Sequence, residues 1–287
     1  MNVLFVYSLS DAPSPPAKPL NVMKEIKEIL EEFIDISEIY FEVETITANE
    51  KWALAFCQLL EKFNASRETP ISFGINVRVV PNKSLKHLSE AFKRAGFNYI
   101  NLGIESGSER IRNEIMKRIY SNEDLIRTCD EAHEAGLQIN AYNMIGLPGE
   151  TPEDFKMTIE VNRRCRPESN NLSIFFPYPG TELYQHCLER GLNVQLKEES
   201  IERYKPVLGL PEFPDKLVSH YFRWFEWYVY KHKKPLFKIL SFALLRFLGA
   251  HPHLFHLYRL LTFSGPAAAL KQRIRSFSWT ILKPSYR

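Results

Sequence analysis

Along residues 21–190, windows with helical spacing of apolar residues alternate with short continuous apolar runs. Apolar residues in 21–33 and 49–63 recur at helical spacing, with charged residues largely opposite. Short apolar runs between such windows favour strands, and Gly96 and Gly136 are helix stops. We therefore predict, in chain order, helix 21–33, strand 39–45, helix 49–63, strand 72–80, helix 83–95, strand 98–105, helices 108–118 and 122–135, strand 137–146, a helix starting at Thr151, strand 171–176 and helix 181–190.

The repeated strand–helix unit determines the predicted fold class. Units of this length connect parallel strands through right-handed crossovers, so we predict an α/β fold. A curved partial barrel and a doubly wound sheet both satisfy the pattern, and periodicity does not choose between them.

The chain divides into four parts. Residues 1–20 combine a short apolar strand with a proline-rich turn, and 21–195 form the α/β body. The proline- and acid-containing segment 196–216 is typical of a linker, and 217–287 are helical, aromatic and basic. The first strand is too short and lacks the basic leader of a signal peptide, and we predict no membrane-spanning helix.

Composition narrows the function classes. The net charge of +3 is too small to indicate nucleic acid by itself. Four scattered cysteines favour a reducing, cytoplasmic compartment over a disulfide framework. Cys57, Cys129 and Cys165 fall within predicted helices, where a buried thiol is the expected state. We therefore assign no metal ligand.

Candidate binding residues lie at the predicted carboxyl ends of the strands, where parallel α/β sheets bind ligands. They offer carboxylates, a guanidinium, hydroxyls, an amide and flexible backbone, and none is nominated as a general acid or base. They are Glu44, Arg78, Glu105, Ser106, Asn143, Ile145, Gly146, Pro177 and Tyr178.

Three motifs, at residues 103–108 (GIESGS), 143–150 (NMIGLPGE) and 176–183 (FPYPGTEL), follow one another in the α/β body. In this order and spacing they resemble the radical S-adenosylmethionine (SAM) family, and most of all its subclass with an N-terminal cobalamin-binding domain. The resemblance covers roughly half of the chain. It implies a partial (β/α) barrel of parallel strands with a helical C-terminal extension, SAM as cofactor, and a 4Fe-4S cluster and cobalamin in the family.

Two residues are candidates for the methionine end of SAM, Glu44 from the resemblance and Arg78 from the chemistry of its side chain. Glu44 stands where the SAM amino group is bound, and Arg78 can hold the SAM carboxylate through two parallel hydrogen bonds. Family members often have two acids at the first of these positions, and Val43 replaces one of them here. A pairing of Arg78 with a neighbouring acid is the alternative.

The nucleoside end of SAM is assigned in the same way. Glu105 and Ser106 match the strand end that contacts the ribose, although Glu105 could equally be a structural acid of the following turn. Residues 143–146 match the strand that contacts the adenine, where a glycine permits close backbone approach. Pro177 and Tyr178 lie near the base.

The chain departs from the family at the cluster. Family members hold the cluster through Cys-x-x-x-Cys-x-x-Cys, and here no two of the four cysteines lie within twenty residues of each other. Since cluster iron is normally held by thiolates, the residues do not support the cluster in this chain. The barrel's first strand is therefore doubtful.

Two hypotheses explain the N-terminus. In the first, residues 1–20 are the opening of a cobalamin-binding domain, most of which is lost together with the first barrel strand. In the second, residues 2–7 are the remnant of the cluster loop, with Val3 and Val6 in place of two cysteines. The strand followed by prolines favours the first.

The family resemblance leads to alternative functions. Intact relatives cleave SAM at the cluster to start radical chemistry, often cobalamin-dependent methyl transfer; this chain is expected to be a truncated or inactive form. The alternative is a non-catalytic SAM-binding or scaffolding protein. An intact paralogue or a second chain that completes the barrel is the expected partner, and the substrate, a small or lipid-like molecule, stays unassigned.

The aromatic and basic C-terminal region leaves three roles open. It covers the open side of the barrel, or it lies on an anionic membrane surface through 217–283, or it stacks on nucleic acid. The modest net charge disfavours nucleic acid. The expected location is cytoplasmic, with a peripheral position at the inner membrane face if the second role holds.

Overall fold

The computed structural model describes residues 2–7, 18–33, 36–42, 46–192, 194, 202–251 and 253–254. The strands are β1 Asn2–Tyr7, β2 Ile36–Glu42, β3 Ser72–Val77, β4 Phe97–Glu105, β5 Gln138–Ile145 and β6 Ser169–Ile174. The helices are α1 Pro19–Glu32, α2 Glu50–Ala65, α3 Lys86–Ala95, α4 Asn122–Glu134, α5 Pro152–Cys165, α6 Glu182–Glu189, α7 Asp215–Tyr230 and α8 Leu236–Gly249.

The six strands lie in one sheet in the order in which they occur along the chain. Pairing is parallel from β1 to β5, with Phe41 opposite Ile75 and Asn76 opposite Asn101. A doubly wound sheet reverses its strand order at a switch point, and this sheet does not. The fold is therefore the partial (β/α) barrel of parallel strands, with a helical C-terminal extension, as the family resemblance implies.

The first strand is present as the outer strand of the described sheet. Residues 2–7 pair in parallel with β2, and Tyr7 lies opposite Glu42. The proline-rich turn that we predict after this strand lies outside the described residues. The pairing places residues 2–7 where a first barrel strand stands, and it leaves both hypotheses for the N-terminus as proposals.

The chain separates into two compact units. Unit 1 contains Met1–Asn143 and Glu153–Asn171, and unit 2 contains Met144–Pro152 and Leu172–Arg287. This division differs from the four parts that the sequence suggests, because it follows contacts in space and not changes in composition.

The core of unit 1 is a cluster of aromatic rings between the sheet and its helices. Phe41, Phe73 and Phe97 project from neighbouring strands, and their ring centroids lie 5.4 to 5.9 Å apart. Phe56 of α2 and Phe92 of α3 complete the cluster. Full burial of each ring contributes about 1.5 to 3 kcal/mol, so this cluster holds the helices against the strands.

Helix α4 begins at a capping box. The Ser121 hydroxyl accepts a hydrogen bond from the Asp124 N–H, and the Asp124 carboxylate accepts one from the Ser121 N–H. Burial raises the pKa of Asp124. This effect is smaller than that of the hydrogen bonds its carboxylate accepts, which lower the pKa to about 2. The donors are the backbone N–H groups of Ser121 and Asn82 and the Arg127 guanidinium.

The predicted helix 108–118 is wrong in its extent. Only one wide turn forms, Ile111–Ile115, in which the Met116 N–H donates to the Ile111 carbonyl over 3.1 Å. Lys117 then takes a left-handed backbone conformation, with φ of 54°, and the chain turns away.

Unit 2 is built around α7 and α8, which pack against each other. The described part of segment 196–216 belongs to the core of this unit and is not a loose linker: Phe213 is buried, and the Arg203 carbonyl accepts a hydrogen bond from Ile174. Between α7 and α8, the Arg246 guanidinium donates to the Glu226 carboxylate over 2.9 Å. Among the described residues, no helix is long and apolar enough to cross a membrane.

Candidate functional site

The two faces of the sheet in unit 1 differ in chemistry. Along β4, Leu102 and Ile104 are buried on the face that packs against the helices, and Asn101 and Gly103 lie on the opposite face. We call the face that carries Asn101 the inner face. Because the helices of this fold surround the strands, the inner face is the one that a ligand can approach.

Hydrogen-bonded polar side chains cross the inner face from strand to strand. The Tyr40 hydroxyl donates to the Asn76 side chain over 2.5 Å and accepts from the Asn101 amide over 2.8 Å. The Asn140 amide donates to Asn101 over 3.0 Å, and the Ser169 hydroxyl donates to Asn140 over 2.5 Å. This row spans β2 to β6 and forms a rigid polar floor.

Glu105 ends β4 at the carboxyl edge of the inner face. Its φ of 61° is left-handed, a conformation that glutamate adopts rarely and at a cost of about 1 to 2 kcal/mol. The side chain folds back over Gly103, where an added Cβ would lie 2.5 Å from the Glu105 carboxylate. One carboxylate oxygen lies 3.4 Å from the Arg118 guanidinium. A carboxylate is therefore held in a fixed position at the edge where ligands bind in this fold.

A buried arginine holds the loop that follows Glu105. Arg112 has an exposed fraction of 0%. Its guanidinium donates to the Ser106 carbonyl over 2.5 Å, to the Asn122 side chain over 2.9 Å and to the Tyr120 carbonyl over 2.9 Å. It also lies 4.7 Å from the centre of the Tyr120 ring. These contacts bring 117–120 back to the strand end, which is why the helix does not extend to 118.

The same loop is fixed from α5. The Gly107 N–H donates to the Thr158 hydroxyl over 2.8 Å, and the Ser108 hydroxyl donates to the Asp154 carboxylate over 2.6 Å. An added Cβ on Gly107 would lie 2.3 Å from the Met157 carbonyl oxygen, so only glycine fits this close approach. The backbone of the loop is thus set by contacts on both sides.

The predicted binding residues of unit 1 differ in exposure and in their hydrogen bonds. Arg78 follows β3, is exposed, and forms no ion pair with any of the described residues. Ser106 is fully buried, and its hydroxyl accepts from the Ser108 N–H, so it serves the loop. Asn143 is also buried, and Glu44 lies outside the described residues.

The side chain of Asn143 projects to the helix side of the sheet. It exchanges hydrogen bonds with the Asn162 side chain, over 2.7 and 3.3 Å, and donates to the Asn170 side chain over 3.0 Å. Both protons of its amide group are engaged there. The Asn143 side chain is therefore structural, and only the backbone at this position remains available to a ligand.

The predicted residues of unit 2 form a tight turn and an exposed ring. The Gly146 N–H donates to the buried Glu150 carboxylate over 2.5 Å, and the Ile145 carbonyl accepts from the Phe175 N–H over 2.8 Å. Pro177 is buried, but Tyr178 is exposed and donates to Glu202 over 3.1 Å.

Gly146 has φ of 79°, so it needs the conformational freedom of glycine whether or not a ligand approaches. Its Cα faces the Val218 side chain of α7, which would lie 3.5 Å from an added Cβ.

The four cysteines lie on four different helices, and the thiols of two of them, Cys129 and Cys165, are in hydrogen-bond contact. Cys57 lies on α2, Cys129 on α4, Cys165 on α5 and Cys187 on α6, and all four are buried. Helix α3 packs between α2 and α4, which separates Cys57 from Cys129. Burial raises the pKa of the Cys57 thiol to about 12 and that of the Cys187 thiol to about 11. These thiols are neutral at physiological pH.

Comparison with known proteins identifies the family. The family model described as the radical SAM superfamily matches residues 10–161, which is more than half of the chain. The chain belongs to the radical SAM superfamily. The matched range contains the inner face of unit 1 up to β5, including Arg78, Glu105 and the loop after it.

Two curated relatives match over about two thirds of the chain. An uncharacterized methyltransferase of Pyrococcus horikoshii is 28% identical over 190 residues, which are 66% of this chain and 39% of that protein. The anaerobic magnesium-protoporphyrin IX monomethyl ester cyclase of Rubrivivax gelatinosus is 26% identical over 215 residues, 72% of this chain and 37% of that protein. The chain thus spans less than two fifths of the length of these relatives.

A solved structure shows the same fold. OxsB, a cobalamin-dependent S-adenosylmethionine radical enzyme solved with aqua-cobalamin and SAM bound, superposes with a TM-score of 0.56. The match covers 96% of this chain and 50% of OxsB at 14% identity. At this identity the likeness shows the fold alone.

The two ligands expected from the family fit the described residues differently. The positioned Glu105 carboxylate and the exposed Arg78 guanidinium match the polar groups of SAM. The cluster does not fit, because it needs three thiolates close together. Among the described residues, the Cys129 and Cys165 thiols lie in contact as a pair, but no group of three His, Cys, Asp or Glu side chains could hold a metal ion. Segment 8–17, which follows β1, contains no cysteine.

Proposed function

We propose that this chain binds SAM at the carboxyl ends of β3 and β4 and does not assemble the family's 4Fe-4S cluster from its own cysteines. It is a SAM-binding member of the superfamily that does not start radical chemistry by itself. The main support for the proposal is the position of the Glu105 carboxylate. It lies over Gly103, and the backbone of Glu105 has a left-handed conformation.

The backbone of Glu105 supports a binding role. A left-handed glutamate is strained, and such strain persists only where the surrounding structure imposes it. Glycine at this position would remove the strain, so the chain maintains a carboxylate at an energetic cost. A carboxylate fixed in this way can accept hydrogen bonds from the two ribose hydroxyls of SAM.

Arg78 supports the same assignment. Its guanidinium follows β3, the strand that pairs with β4, and it is exposed. By the alternation of the strand it shares the inner face with Asn76. A guanidinium at a strand end that forms no ion pair with the described residues is suited to the carboxylate of SAM.

Equilibrium binding of SAM, measured by calorimetry on the wild-type chain, Arg78→Ala and Glu105→Gly, tests the proposal. We expect each variant to bind SAM roughly tenfold to a hundredfold more weakly, since each loses hydrogen bonds that involve a charged group. Arg94→Ala, an exposed arginine on the outer side of α3, is the matched control and should bind as wild type does.

The Glu105→Gly variant also separates binding from folding. Glycine accepts the left-handed backbone, so the variant should unfold in urea at a similar concentration to wild type. Unchanged SAM affinity in this folded variant contradicts the proposed role of the carboxylate.

Methyl transfer is the activity that the relatives favour for a complete assembly. We propose that an intact paralogue or a second chain supplies the cluster in that case, and that cobalamin belongs to that assembly. Mixing the chain with a cluster-bearing relative and measuring SAM cleavage tests this arrangement; cleavage at the relative's own rate, without complex formation, contradicts it.

A further inference from the structure

Helix α8 is apolar around most of its circumference. Ile239 and Ala243 lie with Arg246 on the buried face that packs toward α7. Outside that face, Phe237 and Leu244 are exposed to 64% and 54%. A helix that is hydrophobic all round is normally covered on every side, and α8 is covered on one side only among the described residues.

The exposed side of α8 forms a continuous apolar stripe. Leu236 and Leu240 are also exposed, to 55% and 44%. Leu236, Leu240 and Leu244 are spaced four residues apart and Phe237 stands three residues before Leu240, so the four share one side of the helix. Polar residues of α8 do not interrupt the stripe: Arg246 is buried against Glu226, the Ser241 hydroxyl donates to the Lys238 carbonyl, and Lys238 itself is half-buried. We call these four side chains the α8 stripe.

The sequence segment that contains the stripe is basic. Lys231 and Lys233 are exposed in the turn that precedes α8, beside the first residues of the stripe. Residues 227–287 contain 11 of the chain's 37 lysines and arginines and none of its 34 acids. The modest net charge of the whole chain conceals this asymmetry, because an acidic excess in 1–226 compensates for it.

We propose that the α8 stripe lies on the surface of an anionic lipid bilayer, with the lysines before α8 contacting lipid headgroups. An apolar helix face with a basic border is the composition of helices that lie in the membrane interface. Each lysine near an anionic surface contributes binding energy that salt screens. Helix α8 has 14 residues, which suits a helix lying on a bilayer, since spanning it takes about 20 residues.

Flotation of the full chain with vesicles tests the proposal. One set of vesicles is neutral phosphatidylcholine, and in the other a third of the lipid is phosphatidylglycerol. We expect the wild type to float with the anionic vesicles, to stay at the bottom with the neutral ones, and to lose most of its binding between about 0.1 M and 1 M salt. A wild-type chain that stays at the bottom with anionic vesicles overturns the proposal.

Two variants with matched controls locate the contact. Phe237→Ser with Leu244→Ser should lower the bound fraction at least tenfold and leave folding intact, because both side chains are exposed. Ile119→Ser, at a side chain exposed to 74% in unit 1, should float as wild type does. Flotation of the stripe variant at the wild-type level overturns the proposal.

A second pair of variants tests the charges. Lys231→Gln with Lys233→Gln should also weaken flotation about tenfold or more, whereas Lys24→Gln with Lys27→Gln on α1 should not. Two further results overturn the proposal. If the chain binds duplex DNA and does not float with vesicles, the basic segment binds nucleic acid. If the chain does not float but forms a dimer that the stripe variant abolishes, the stripe contacts a second copy of the chain.

Discussion

Replacement of Arg112 by leucine tests the contacts that hold the loop after Glu105. The change removes the donor to Ser106, Asn122 and Tyr120, and it leaves two buried carbonyls and the half-buried Asn122 side chain without that donor. Each acceptor left without a partner costs about 1 to 3 kcal/mol. Part of this cost is offset, because the variant has no guanidinium to remove from water on folding. The net loss should therefore be about 3 to 5 kcal/mol in the free energy of unfolding.

Urea unfolding followed by far-UV circular dichroism measures this loss, and amide hydrogen exchange at Gly107 and Ser108 locates it in the loop. Arg163→Leu is the control, since that arginine is exposed and its contact with Glu160 is 3.4 Å long; it should change stability by no more than about 0.5 kcal/mol. A loss below about 1 kcal/mol for the Arg112 variant, with unchanged exchange in the loop, refutes this reasoning.

Two further predictions concern pH. Asp124→Asn should lower the free energy of unfolding by roughly 2 kcal/mol at pH 6, because the pKa of Asp124 is about 2 in the folded protein and 3.8 ordinarily. The difference in stability from wild type should fade between about pH 4 and pH 2, where the wild-type carboxylate becomes protonated. Urea unfolding across that pH range measures it. Arg246→Met should destabilise unit 2 by about 3 to 5 kcal/mol at pH 7 by leaving the buried Glu226 carboxylate without its cation. Burial raises the pKa of Glu226, so only the ionised carboxylate is destabilising when its cation is removed. The loss of stability in the variant should therefore shrink as pH falls from 7 towards 5 and Glu226 takes up a proton. A loss of stability that does not change with pH contradicts this account.

The fold was predictable because each element carries its own local signal. Gly96 ends α3 with φ of 100°, and Ser121 and Asp124 start α4 through reciprocal hydrogen bonds. The parallel order follows from repeated strand–helix units. The helix predicted at 108–118 is shorter than expected because Arg112 bonds to carbonyl groups outside its own turn, a tertiary contact that helical spacing does not reveal.

The residues of the proposed site could be predicted only in part. The strand-end rule nominates Arg78 and Glu105, but it takes no account of the face of the sheet on which a side chain lies. Alternation along β5 places Asn143 with the buried Ala141 on the helix side, and this signal was present in the sequence. The ion pair of Glu105 with Arg118 could not be inferred, because it depends on the left-handed backbone.

The most direct test of the account is equilibrium binding of SAM to the purified chain in the presence of an iron chelator, with iron and sulfide assayed on the same sample after anaerobic reconstitution. The account predicts saturable binding of one SAM per chain that needs no iron, and no stoichiometric cluster after reconstitution. A 4Fe-4S cluster in every chain, with SAM binding that disappears when the chelator removes it, would contradict the central claim.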